Sequence, residues 1–388
     1  MSGAAPGRFV VELPDEDVAR MLQLIDQERR RAPAPEAAWA SAADCRGFDR
    51  LCDYWLNGFD WSAQQARLNE QPQFTLEVDG VLVHFVHQRA AGGPGIPLLL
   101  AHSWPSTFLE YLPLVPVLTN PSAYGIPGPG FDVVIPSLPG FGFSERPRGK
   151  AWSYAATAGL WHRLMQQLGY SEFAVSGTGF GAGVASMMAW QHPERMSALQ
   201  LNSVDVPPPP SPEQALSTAE LLALAQSGCW DAAAPAQPCG LVPKSNMLSF
   251  ALADSPYSVA AWIVQRWRLW AGPAADLSEA SDHDSLLTML SLYWLTGTTG
   301  ASILDFYDNR AEPPRLEPGQ KITVPTAIGV FPDSAGSRGP DGAEFEWQKR
   351  LYRLERITEF PRIGSFGVIH DPQLLARELF QFVQDCAR

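Results

Sequence analysis

The sequence predicts an α/β fold: a parallel sheet with helices on both faces, a helical block inserted late in the chain, and an extra region ahead of the sheet. Three observations predict it. Short apolar strands such as "LLLAHSW", "FDVVIPSLPG" and "ALQLNSV" alternate with helical patterns, as strands buried on both faces do. "FAVSGTGFGAGVASMMAW" (Phe173–Trp190) reads as strand, glycine turn and helix. Residues 206–318 hold helical patterns without a convincing strand, and strand patterning resumes at "KITVPTAIGVFPDS".

The elements follow in order. "DEDVARMLQLIDQERRRA" is amphipathic: Val18, Met21, Leu22 and Ile25 share one helix face, with Asp15 placed to cap its start. "PQFTLEVDGVLVHFVHQRA" reads as two strands around Asp79-Gly80, with Val81, Val83 and Phe85 alternating inward. Two sheet strands, a helix around Ala155–Leu168, the glycine-turn unit and a further strand come next. The helical block contains "AELLALAQ", "SVAAWIVQRWRLWAG" and "SLLTMLSLYWLTG", and a strand-turn-helix unit closes the chain. Ligand sites in such sheets lie at the carboxyl ends of the strands. The unusual stretches "HSWP", "PSLPGFGFS" and "GTGFG" all fall there.

With 388 residues and 46% hydrophobic content, the chain suits one large domain with insertions, or two domains. Its 13 tryptophans line a deep aromatic pocket or fill a large core. A net charge of −13 argues against nucleic acid or an anionic membrane as partner. Five cysteines (Cys45, Cys52, Cys229, Cys239, Cys386), odd in number and without metal spacing, suit a reducing cytoplasm. The N-terminus has no signal-peptide pattern and no apolar run is long enough to span a membrane. The expectation is a cytoplasmic protein without cofactor or metal.

Gly177-Thr178-Gly179-Phe180-Gly181 fits the strand–turn–helix pattern G-x-nucleophile-x-G, in which the outer glycines let strand and helix approach. Gly179 stands at the tip. A competing reading is the dinucleotide fingerprint, since Gly177-x-Gly179-x-x-Ala182 matches G-x-G-x-x-A. That fingerprint usually opens a domain, whereas here two sheet strands precede it.

At these residues the sequence resembles the microsomal-type epoxide hydrolases of the α/β-hydrolase fold, over nearly the whole chain. "LCDYWLNGFDWSAQQARLNEQPQFTLEVDGVLVHFVH" resembles that family's amino-terminal region, and "HSWP" (His102–Pro105) its H-G-W-P turn, with Ser103 in place of glycine. "PSLPGFGFSERP", "HPERMSALQLN" and "YWLTGTTGASILDFYDN" are also close to family stretches. The resemblance implies an N-terminal epoxide-hydrolase-type region over 1–91, an α/β-hydrolase core over 92–205 and 319–388, and a helical lid over 206–318. The mechanism it implies uses an Asp nucleophile, a His–acid pair that activates water, and two lid tyrosines that protonate the epoxide oxygen. Position by position, the nucleophile falls on Gly179, the histidine on Ser365, and the acid near Asp333-Ser334, where Ser334 matches better. One tyrosine falls on Trp262 and the other is kept as Tyr307. Glycine forms no alkyl-enzyme ester, and serine does not replace imidazole as a base near neutral pH.

What remains can position and polarise. The resemblance places the Trp104 and Phe180 backbone N–H groups as an oxyanion hole. Tyr307, His370, Asp333 and Asp205 are the candidate acids and bases. His102, Ser103, Gly179, Trp262 and Ser365 are expected to line the space for a bulky, hydrophobic, polycyclic small molecule. Each has a plainer role open to it: packing for Tyr307, surface exposure for His370, Asp333 and Asp205, and shaping of the turn for His102. The expected function is non-hydrolytic: intramolecular carbon–carbon bond formation or cyclisation by conjugate addition. The resemblance places it in polyketide or enediyne biosynthesis, such as an anthraquinone-fused enediyne pathway of the tiancimycin type. The alternatives are epoxide opening without a covalent intermediate, by water or an internal nucleophile, and non-catalytic binding of a reactive product.

Overall fold

In the computed structural model of the chain, the hairpin expected at Asp79-Gly80 forms. Both residues take positive φ, 51° and 76°, which Asp and Gly tolerate and which suits the twist of the flanking strands. The structure describes residues 5–31, 39, 41–147, 151–202, 252–271, 283–311, 320–330, 348–360 and 372–386, with the backbone alone for 268–271, 306–307 and 310–311.

The chain begins with β1 (Gly7–Phe9), α1 (Asp15–Arg31), α2 (Ala42–Asn57) and α3 (Trp61–Asn69). Met21 and Ile25 bury on the predicted face of α1, but Asp15 is not the cap. The Pro14 carbonyl accepts from the amides of Asp17 and Val18, so Asp15 lies inside the first turn, where its charge meets the positive end of the helix dipole. The capping role passes to Ser41 in α2 and Asp60 in α3, whose side chains accept from the Asp44 and Ala63 amides.

The hairpin strands are β2 (Gln73–Val78) and β3 (Val81–Gln88). β4 (Ile96–Ala101), α4 (Val115–Thr119), β5 (Phe131–Pro136), α5 (Tyr154–Gln167), β6 (Phe173–Thr178), α6 (Phe180–Gln191) and β7 (Met196–Asn202) follow. The helical block contributes α7 (Pro256–Ala271), α8 (His283–Leu295) and α9 (Thr299–Ala311). β8 (Ile322–Val330), β9 (Tyr352–Glu359) and α10 (Pro372–Cys386) end the chain. The predicted helix "AELLALAQ" lies outside the described residues.

The nine strands among the described residues form one sheet in the order β1-β2-β3-β5-β4-β6-β7-β8-β9. From β5 to β9 the pairings are parallel, as expected. The N-terminal strands add an antiparallel margin, so the sheet is mixed rather than purely parallel. The two-residue turn accounts for one of these pairings, β2 with β3: it can join only antiparallel strands, whereas parallel ones need a crossover. The apolar runs bury on both faces. Leu99, Ala101 and Val134 face one core layer, with Trp161 and Ala182. Leu98, Leu100, Val133 and Ile135 face the other, with Phe131 and Phe380. Among the described residues no helix is long and apolar enough to cross a membrane.

Candidate active site

The glycine turn closes β6 onto α6 with little room to spare. A Cβ at Gly177 would lie 2.6 Å from the Gly181 carbonyl carbon, and one at Gly181 would lie 2.7 Å from the His102 carbonyl oxygen. Both are closer than real Cβ contacts come, so the outer glycines are required by the approach of strand to helix. Gly179 sits at the tip with φ 49° and ψ −114°, a conformation that L side chains rarely adopt. Its amide donates to the Asn202 carbonyl at the end of β7 (3.3 Å), and its carbonyl accepts from the Gly183 amide (3.1 Å). A Cβ built at Gly179 would overlap Ser103 Oγ and stand 3.1 Å from Ser103 Cβ. The space in front of the turn is therefore held by a serine from the neighbouring loop.

That loop, His102 to Ser106, leaves the end of β4. The Phe180 amide donates to Ser103 Oγ at 3.1 Å, and the hydroxyl in turn reaches the Trp104 carbonyl at 3.3 Å. The oxyanion-hole amide expected at Phe180 thus acts on Ser103. His102, expected to line the ligand space, is fully buried and holds the loop together. Its Nε2 accepts from the Leu138 amide (3.0 Å), which leaves Nδ1–H to donate to the Ser103 carbonyl (3.1 Å). Burial pushes its imidazole down to about 4, against a smaller upward pull from the Ser103 carbonyl, so it is neutral at physiological pH.

Beneath the loop is a carboxyl that sequence reasoning missed. Glu110 is 1% exposed, and its Oε2 accepts from the Ser103 amide at 3.3 Å. Burial pushes it up to about 7, opposed by hydrogen bonds from the Ser103 amide, Thr178 and Ser106. Thr178 Oγ1 is also 3.0 Å from the Tyr111 hydroxyl, which donates to the Ala101 carbonyl (3.2 Å). The available signal was a lone acid in the apolar run "FLEYLPLVPVL".

The helical block lies over these strand ends. Trp262 of α7 packs against Trp104 with ring centroids 4.9 Å apart, and the Arg266 guanidinium lies 5.6 Å from the Trp262 ring centre. Tyr293 of α8 donates to the Ser106 carbonyl at 2.7 Å. Arg146, just after "PGFGFSE", clamps α9 by donating to Asp305 Oδ1 (2.6 Å), Asp308 Oδ2 (2.5 Å) and the Ala301 carbonyl (3.1 Å). The amides of Trp152 and Tyr154 add bonds to Asp308 and Asn309. This clamp brackets position 307 in the sequence. Burial, opposed by Arg146 and reinforced by Asp308, moves Asp305 up to about 7. From below, α2 braces α8: Trp55 Nε1 donates to Ser291 Oγ (3.2 Å) and the Tyr54 hydroxyl to Asp284 (2.8 Å).

The structure thus brings together Gly179, Phe180, His102, Ser103, Trp104 and Trp262. Asp205, Asp333, Ser334, Ser365 and His370 lie outside the described residues, as does the side chain of Tyr307, whose backbone belongs to α9. Among the described residues no group of three or more His, Cys, Asp or Glu could hold a metal ion. Chemically, the described part sets the Ser103 hydroxyl at the turn, with the Phe180 amide behind it and the Trp104–Trp262 pair nearby.

The family model described as the epoxide hydrolase N terminus matches residues 6–111, and that of the alpha/beta hydrolase fold matches residues 96–269. A protein of Stigmatella aurantiaca named "Putative epoxide hydrolase" is 34% identical over 363 residues, covering 92% of this chain and 81% of that protein. Epoxide hydrolase 1 of Sus scrofa is 28% identical over 409 residues, covering 97% and 88%. The epoxide hydrolase structure from Aspergillus niger superposes with a TM-score of 0.76 at 25% identity, covering 99% of this chain and 97% of that one. The juvenile hormone epoxide hydrolase structure from the silkworm Bombyx mori shares the fold with a TM-score of 0.79 at 20% identity, covering 100% and 96%. With an elbow between β6 and α6, an amino-terminal region matched in its own right and a relative above 30% identity over most of both chains, this protein belongs to the epoxide hydrolase family of the α/β-hydrolase fold.

Proposed function

We propose that this chain is a non-hydrolytic enzyme on an epoxide-hydrolase scaffold. It positions a bulky polycyclic substrate and polarises one of its oxygens, promoting intramolecular carbon–carbon bond formation or cyclisation by conjugate addition. One observation carries the reading: Gly179 occupies the tip of the elbow, and Ser103 Oγ fills the space that a nucleophilic side chain would need. No covalent ester forms at a glycine, and Ser365 and Ser334 stand where the resemblance puts the histidine and acid. Addition to an α,β-unsaturated carbonyl needs no such ester. It needs orientation and stabilisation of the enolate oxygen, effects that supply many orders of magnitude in rate. Tyr307 is the proton donor in this reading, with His370, Asp333 and Asp205 as the groups that accept or relay the proton. A place in polyketide or enediyne biosynthesis, of the tiancimycin type, fits such a substrate. The aromatic pair Trp104–Trp262 supports a flat, apolar ligand.

The second reading is epoxide opening without a covalent intermediate, favoured by the names of the relatives. Product mass separates the two. Purified protein is incubated with cis-stilbene oxide and, separately, with an aryl substrate whose nucleophilic ring carbon is tethered to an enone. The expected result is an isomer of the enone substrate and no diol. A diol heavier by one water, with no isomer formed, overturns the proposal in favour of the second reading. Tyr307→Phe is expected to slow turnover, and unchanged activity removes Tyr307 from the mechanism.

A further inference from the structure

The Ser103–Gly179 pair has a chemical consequence for how an oxygen is bound in this site. We propose that the Ser103 hydroxyl is the group that hydrogen-bonds the reacting oxygen of the substrate, and that the Phe180 amide acts through it rather than on the substrate directly. The inference rests on the polarising role proposed above and deepens it.

Four features of the geometry point the same way. The hydroxyl oxygen lies against the point where a Cβ of residue 179 would be, so a ligand group placed where that side chain would stand is in contact with Ser103. The Phe180 amide already donates to that oxygen at 3.1 Å. A hydroxyl that accepts one hydrogen bond is a stronger donor of the next. Its own hydrogen has a weak partner, the Trp104 carbonyl at 3.3 Å, long against the usual 2.7–2.8 Å of an O–H···O bond, and a better acceptor readily displaces it. Finally, the Ser103 backbone is held from both sides. Its amide donates to Glu110, its carbonyl accepts from His102, and both of those side chains are buried. The donor is therefore placed before the substrate arrives, the condition under which a hydrogen bond lowers a barrier without reorganisation.

Ser103 acts here as a donor and not as a nucleophile. The carboxyl nearest to it in the hydrogen-bond network, Glu110, engages its amide, and the ring nitrogens of His102 are committed to the Ser103 carbonyl and the Leu138 amide. No bond to Ser103 forms or breaks; its hydrogen stays on Oγ and stabilises charge developing on the substrate oxygen.

The test uses the full chain and alizarin, a tricyclic phenol whose ionisation changes its colour and whose phenolate stands in for an enolate. The bound dye is titrated by absorbance in wild type, Ser103→Ala and Ser103→Gly, with thermal melts confirming that each variant is folded. Wild type is expected to favour the phenolate and lower the dye's titration midpoint. Both variants are expected to give back about tenfold of that preference, close to one pH unit, the scale of a hydrogen bond to a charged oxygen. If either variant keeps or strengthens the preference, Ser103 only plugs the hole in front of the Phe180 amide, and the inference is wrong while the proposed function stands. If the wild-type protein leaves the titration unshifted or fails to bind the dye, the polarising role falls and takes this inference with it.

Discussion

Replacing Glu110 by Gln should remove a pH dependence that the fold places beneath the His102–Ser106 loop. Glutamine keeps the shape and the carbonyl oxygen that accepts from the Ser103 amide, and it cannot ionise. The folded chain holds the Glu110 carboxyl at about 7 against an ordinary 4.5, chiefly because it is buried. Between those values the folded protein keeps a proton that the unfolded chain releases. The contribution is therefore fully present below pH 4.5 and is lost as pH rises through about 7. At about 1.4 kcal/mol per pKa unit, the difference amounts to about 3 kcal/mol, a large share of the stability of an ordinary domain. Asp305 is raised to about 7 as well and titrates with the same sign, so wild type loses stability over this range for two reasons. Asp305 is present in both proteins, and the difference between their curves isolates Glu110. Urea unfolding followed by tryptophan fluorescence at pH 5, 6, 7 and 8 should show Glu110→Gln gaining on wild type by about 2–3 kcal/mol across the range. Curves that stay parallel within about 0.5 kcal/mol would refute the argument, because a carboxyl that ionises at its ordinary value would not be paying for burial.

Gly179→Asp alone should destabilise the protein by about 2–3 kcal/mol, since the new Cβ runs into Ser103 Oγ. The double change with Ser103→Gly should recover 1 kcal/mol or more, about the coupling expected of touching residues; additive effects in urea unfolding would show that the two positions do not compete for the same space. Arg146→Met leaves Asp305 and Asp308 without the guanidinium that bridges them. It should cost about 3–5 kcal/mol, the scale for breaking a buried ion pair, with a larger loss at pH 8 than at pH 6 because burial opposes ionisation of Asp305. Equal losses at the two pH values would mean that Asp305 is not held by this pair.

Local chemistry carried much of the fold into view. Asp79-Gly80 prescribes an antiparallel hairpin because only positive φ closes so short a turn. The unbroken apolar runs of β4 and β5 prescribe a sheet covered on both faces, and successive leucines and valines do bury on opposite sides. Gly177 and Gly181 announce a strand and helix in close approach, and the clash a Cβ would meet at either confirms why. The glycine at the tip, position 179, was likewise legible, because the residue type can be read directly. Strand pairing was less so: that the hairpin would join the central sheet through β3 and β5 depends on edges meeting that no local pattern encodes.

The site divides along the same line. Residue types told which side chains stand at the turn; tertiary structure decided what packs against them. Ser103 lies 76 positions before Gly179, and only the packing of the β4 loop against the elbow puts its hydroxyl against the tip and on the Phe180 amide. Glu110 looked like an isolated acid until the fold buried it under Ser103. Arg146, Asp305 and Asp308 are ordinary charges in sequence and a clamp in space. A hydrogen bond or an ion pair depends on distances of a few tenths of an ångström between atoms far apart along the chain, and the fold alone sets those.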